Sequence, residues 1–281
     1  MFFVLINVAR MKTPSFPLAI ALALAVSSGA FAQTPAPKVL FSEDFENVPV
    51  GEIPTGFTKT GAIGVSDDAA HSGHKSLKMA AAVKGARKIT LKGEPLAALG
   101  GEHWGRLYFK VKLPAPSPVI PAGKTSGIIH STIVDGTATS PLVNDKIDLR
   151  LLNTVLRSDG SFSYLFNVQP PNGRKEFGAS TKARFHYTDE WTLAEWHVDN
   201  ATQSFQFFLN GEELPELAIH KGAGQFEGAE IPAVFETLSF GFTNYQPASD
   251  EGFVTWIDDL AVGKERIGGG VIPNKPVGSG K

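Results

Sequence analysis

The sequence predicts an all-β fold: a jelly-roll sandwich of two antiparallel sheets with little helix. Short runs of alternating apolar and polar residues recur along the chain, and 29 glycines and 19 prolines supply turn signals between them. No stretch sustains the apolar period of a long helix, and no internal repeat is present. With 281 residues and no cysteine, one large β domain has to hold itself together without disulfides or thiolate-bound metal.

Taken in order, Met11 opens a secretory signal pattern that makes it the expected start, with 1–32 as signal peptide. Lys12 is the positive region, Leu18 to Val26 the apolar region, and Ala30-Phe31-Ala32 the small-residue cleavage site. The mature protein is then expected to be secreted or periplasmic, and no later apolar run is long enough to span a membrane. Residues 33–38 form a proline-containing spacer, and 39–267 the β domain.

VLFSE gives a first strand, followed by a Gly/Pro-rich loop. AIGVS and KSLKMAA flank a His71-Ser72-Gly73 turn, and RKITLKG follows. WGRLYFKVKL alternates with Leu107, Phe109 and Val111 on one side. A proline-rich loop leads to three strands, SGIIHSTIV, DKIDLRLLN and FSYLFNVQ. Beyond a polar loop, WTLAEWHVD and SFQFFL pair as a hairpin, the second ending at the turn signal Asn210-Gly211. SFGFTNYQ and FVTWIDDLAVG close the domain. The tail, 268–281, has too little apolar content to pack and is expected to be disordered.

The three central strands are the candidate site. Side chains alternate across a sheet, so His130 shares a face with Ile128 and Thr132, and Arg150 with Lys146 and Asp148. Asn167 and Gln169 oppose Tyr164, Phe166 and Val168. If these polar sides line one surface, they suit an anionic, hydroxyl-rich ligand. The net charge of −2 excludes the basic excess that nucleic-acid binding needs, so any charge recognition is local.

FSEDFEN, AHSGHKSLKM and VTWIDDLAVGKERIG together resemble secreted jelly-roll modules that hold a structural calcium ion between their first and last strands. That resemblance implies side-chain ligands from Glu46 and Asp258 and backbone carbonyls at Ser72 and Lys75, with Asp44 and Asp259 as neighbouring substitutes. AEWHVDNATQSFQFFLNG, DLRLL and FGFTNY extend the likeness to most of 39–267, which is similar to the cellulose-induced secreted protein family. That family's jelly roll is similar to glucuronan lyases and alginate lyases. In such lyases an Arg and a Gln or Asn neutralise a uronate carboxylate while His and Tyr handle protons. The resemblance therefore implies catalytic roles for His130, Arg150, Gln169 and Tyr245, with Lys146, Asp148 and Asn167 as substrate contacts. IIH at 128–130 stands where the lyases have QIH, and DLRLL lacks their second arginine and the glutamate between.

The implied function is a polysaccharide lyase cleaving a uronate polymer by β-elimination. The expected partner is an anionic polysaccharide bound by a monomer, with neither nucleic acid nor membrane. Either His130 or Tyr245 serves as base, and Asn167 is the substitute if Gln169 lies beyond the sheet. The alternative is a non-catalytic, calcium-stabilised carbohydrate-binding module on the same fold. Hydrolysis is disfavoured because Lys146, Asp148 and Arg150 present one acid where a glycosidase needs two, and no GxSxG elbow occurs.

Overall fold

The computed structural model describes residues 38–278 apart from residue 142 and 220–229. The signal peptide, the Met11 start, nearly all of the spacer and His220 lie outside those residues. The strands are β1 (Val39–Glu43), β2 (Phe57–Thr60), β3 (Ile63–Ser66), β4 (Ser76–Ala82), β5 (Gly85–Lys92), β6 (Glu102–Val111), β7 (Ile128–Ser140) and β8 (Asp145–Arg157). They continue as β9 (Phe162–Gln169), β10 (Phe177–Ser180), β11 (Thr192–Asp199), β12 (Ser204–Leu209), β13 (Glu212–Glu213), β14 (Thr237–Asn244) and β15 (Phe253–Gly263). Helix among the described residues is limited to Glu94–Ala97 and a 3-10 turn at Pro215–Leu217.

All strand pairing is antiparallel. One sheet runs β13-β12-β11-β6-β15-β4-β3 with β1 also on β15, and the other β10-β9-β8-β7-β14-β5-β2. This is the jelly-roll sandwich that the alternation predicts. The polar loop after β9 carries an additional strand, β10, and the Gly/Pro-rich loop after β1 carries β2.

The inner faces meet in a phenylalanine-rich core. Phe41, Phe57 and Phe240 contact edge to face at 6.3–6.4 Å, and Phe166 stacks on Phe205 at 3.9 Å, joining the two sheets. Trp196 lies flat against β6 only because its cross-strand partner is Gly105, where a Cβ would fall 2.0 Å from the indole. Arg87 is buried, with its guanidinium on the carbonyls of Ala80 and Phe253 and the amide of Asn244. It ties β4, β5, β14 and β15 together where a disulfide is not available.

The described part of the tail, 268–278, runs back along the domain. The buried Arg106 guanidinium donates to the carbonyls of Gly268 and Gly270, and the Tyr108 hydroxyl to Gly269 at 3.1 Å. Ser42 and Lys275 exchange main-chain hydrogen bonds at 2.8 and 3.3 Å, and Val277 packs against the core, so the segment is held mainly by polar contacts with one apolar anchor. Glu195, also buried, receives Arg266 through two nitrogens at 2.9 and 3.2 Å and the amide of Gly268 at 3.0 Å.

His103 is fully buried, and its Nε2 accepts the Trp196 indole N–H at 3.3 Å. Burial, reinforced by His197 and Lys264, pushes its pKa down to about 3. The unfolded chain protonates this ring near its ordinary value while the folded chain does not. The contribution is therefore complete above about pH 6.5 and is lost toward pH 3 at about 1.4 kcal/mol per pH unit. Urea unfolding of wild type and His103→Gln between pH 7.5 and 4 is expected to give a steeper acid loss in wild type. Parallel curves would contradict this reading of His103.

Candidate functional site

The site forms on the outer face of the seven-stranded sheet, where β7, β8 and β14 are irregular at one level. Thr132 and Val134 face Asn153 and Leu152, and Asp135 faces Arg150, so Ile133 and Leu151 are extra residues in their strands. The β14–β7 register shifts between Phe240 and Thr243, and the β8–β9 register between Arg150 and Asn153. A bulge shifts which side successive residues face. Thr132 and Asp135, three apart, thereby share one side, as do Arg150 and Asn153. His130 and Arg150 come to the same face by this means.

Arg150 is half-buried and central. Its guanidinium donates to Gln169 Oε1 and lies over the Tyr245 ring at 4.7 Å. Among the described residues it makes no ion pair, so the pairing with Asp148 that strand parity allows is not formed. Asn167, directly across from Arg150, is buried and accepts Asn153 Nδ2 at 3.1 Å. The Tyr245 hydroxyl is 3.2 Å from Thr132 Oγ1.

Arg150, Gln169 and Tyr245 therefore touch, with Asn167 on the neighbouring strand position. His130 meets Tyr245 through the backbone: its carbonyl accepts the Tyr245 amide at 3.0 Å, and its ring Nδ1 is 3.4 Å from Gln246 Oε1. Lys146 is exposed and paired with Glu236 at 3.3 Å. Asp148 is exposed between Thr137 and Gln169.

Glu176 is a residue that sequence reasoning missed. Its two carboxylate oxygens receive Asn167 Nδ2 and Gln169 Nε2, each at 2.7 Å. The β9–β10 register continues to place it opposite Gln169, but β10 was hidden in a polar stretch. Asp135, cross-strand from Arg150, is also new; burial raises its pKa, and Lys88 holds it at 2.7 Å.

The four residues implied as calcium ligands gather around one turn. Asp258 Oδ2 accepts the amides of His71 and Ser72 at 2.7 and 3.2 Å, and Glu46 Oε1 those of His74 and Lys75 at 2.8 and 2.7 Å. Lys75 Nζ reaches the carbonyls of Glu46 and Val48. Burial and then Asp259 push the Asp258 carboxyl up to about 7, while Asp259 holds His71 and Ser72 and Asp44 holds the Glu46 amide. Among the described residues no three His, Asp or Glu side chains form a metal cluster. An ion here would need main-chain oxygens, and the two carboxylates suit a hard cation on those terms.

No family model and no curated protein sequence matches this chain. Among solved structures, the cellulose-induced protein Cip1 is similar at 14% identity, covering 82% of this chain and 100% of that one with a TM-score of 0.51. The binding domain of botulinum neurotoxin DC in complex with SialylT is 12% identical over 82% of this chain and 48% of that one, TM-score 0.47. A botulinum neurotoxin type C structure, described as dependent on two ganglioside molecules for cell entry, gives 13%, 82%, 48% and 0.48. This chain thus spans about half of those toxin chains. The likeness to the cellulose-induced protein establishes a shared fold.

Gly73 adopts φ +60°, and a Cβ there would sit 2.5 Å from Glu46 Oε1. Gly73→Ala is expected to cost about 1–3 kcal/mol in urea unfolding, through left-handed strain and displacement of Glu46. An unchanged midpoint would mean that the turn is not held as described.

Proposed function

We propose that this chain is a carbohydrate-binding jelly roll that takes an anionic saccharide on the outer face of its seven-stranded sheet. The observation that carries the reading is the half-buried Arg150 guanidinium, set between the Gln169 amide and the Tyr245 ring and without a carboxylate of its own. A planar guanidinium binds a carboxylate through two parallel hydrogen bonds, and an adjacent ring offers a face for sugar C–H groups. Asn167, Gln169 and the exposed Lys146 and Asp148 extend the polar surface along the strands. The leader-like 1–32 segment supports a secreted or periplasmic location, and the protein acts as a monomer.

A second reading, β-elimination, is favoured by the Tyr245 phenol beside Arg150. In that reaction the C5 proton of a uronate passes to Tyr245 or His130 while Arg150 and Gln169 stabilise the enolate. The C4–O bond then breaks, a C4–C5 double bond forms, and the leaving oxygen is protonated. Retention on glucuronan or alginate without product supports binding alone; an unsaturated product absorbing in the ultraviolet supports the lyase.

Arg150→Ala is expected to weaken polyuronate retention roughly 10- to 100-fold, as loss of a charge-assisted hydrogen-bond pair does, and to remove any elimination activity. Retention and turnover equal to wild type would discard this site.

A structural calcium ion at the 71–75 turn belongs to the same proposal, with Glu46 and Asp258 as side-chain ligands and carbonyls of Ser72 and Lys75 completing the set. At free calcium a hundredfold above Kd the linkage is about 2.7 kcal/mol, which for a domain of this size moves Tm by roughly 5–10 °C. Chelation is expected to lower Tm by that amount without removing a group that touches saccharide. A Tm indifferent to chelator, with no calcium by metal analysis, would reject the ion.

A further inference from the structure

A cleft of about 170 Å³ enters the sandwich between β9 of one sheet and the ends of β6, β11 and β12 of the other. Its walls are rings: Phe162 stacks on Tyr187 at 4.4 Å, and Tyr164 meets Phe185 edge to face at 4.9 Å. Phe109, Val111 and Leu209 complete the apolar lining. Charged and hydroxyl groups, His186, Thr188 and Glu190, are exposed at the mouth.

Tyr164 is only 2% exposed, yet its hydroxyl has no hydrogen-bond partner among the described residues. Tyr187, beside it, is satisfied by Thr154 at 3.0 Å. The Tyr164 oxygen is also not among the fully enclosed orphan atoms, unlike Nδ1 of His103, so it keeps contact with the cleft it lines. A buried hydroxyl without a partner costs about as much as a lost hydrogen bond, and here a ligand entering from the mouth restores it.

From this geometry we propose that the cleft is a binding site for a monocyclic aryl compound with a single hydrogen-bonding oxygen, of the phenol type, its oxygen on Tyr164. Size selects the ring: an apolar cavity of about 150 Å³ takes up benzene. Polarity selects the single oxygen. A pyranose would bury several hydroxyls against phenyl walls without partners, and a benzoate would bury a charge with no cation at depth. Burial raises the Tyr164 pKa above its ordinary value, so the group stays a neutral donor. This site is independent of the Arg150 face.

Calorimetric titration of the full chain with phenol and with benzene tests the site, using wild type, Tyr164→Phe and Thr188→Trp, the last filling the mouth from an exposed position. Phenol is expected to bind wild type at millimolar concentration or below. Tyr164→Phe is expected to weaken it roughly five- to tenfold, the size of one hydrogen bond, while benzene binds both proteins alike. Thr188→Trp is expected to weaken both probes. No phenol binding by wild type, equal phenol binding by wild type and Tyr164→Phe, or indifference to Thr188→Trp would overturn the proposal.

Discussion

The outer face depends on one backbone constraint: neighbouring strands carry extra residues at the same level. Ile133 in β7 and Leu151 in β8 are inserted against their partners, and β14 shifts register beside them. In a regular ladder Thr132 and Asp135 would point to opposite sides of the sheet, and so would Arg150 and Asn153. The irregularity turns both pairs outward. Arg150 then stands over Tyr245 while its neighbours Leu149 and Leu152 stay in the core. The extra residues are both apolar and both buried, which makes the interruption compatible with a packed interior.

Around that constraint the molecule divides its labour by face. The inner faces are aromatic and aliphatic, crossed by Arg87 on main-chain carbonyls. The outer face of the eight-stranded sheet is partly occupied by the tail through Arg106, Tyr108 and Glu195. The outer face of the seven-stranded sheet carries a line of contacting polar side chains, hydrogen-bonded from Glu176 through Gln169 to Arg150, with Arg150 over the Tyr245 ring and the Tyr245 hydroxyl against Thr132. In that line each amide is oriented by a neighbour, so Arg150 is presented in a fixed attitude.

Much of this was legible in the sequence. Parity within β9 assigns Asn167 and Gln169 to one side and Tyr164, Phe166 and Val168 to the other, and their burial agrees for the three core residues. Parity within β8 aligns Lys146, Asp148 and Arg150. What alternation could not reveal is where a strand gains a residue, since Ile133 and Leu151 read as ordinary apolar positions. Glu176 was hidden because a short edge strand with glycine and charge looks like a loop. The contacts of the described tail residues were not legible because their partners, Arg106 and Ser42, lie more than a hundred residues away, beyond the reach of local composition. His103 gave no local sign that its ring would be sealed inside.

The strand order also bears on when the protein can fold. β15 lies between β6 and β4, and β14 between β7 and β5, so an interior strand of each sheet belongs to the last stretch of the domain to be synthesised. Neither sheet can close while the ribosome still holds that stretch, because the pairings of β15 with β6 and β4 and of β14 with β7 and β5 are remote in sequence. Until those two strands emerge, both sheets present unpaired interior edges.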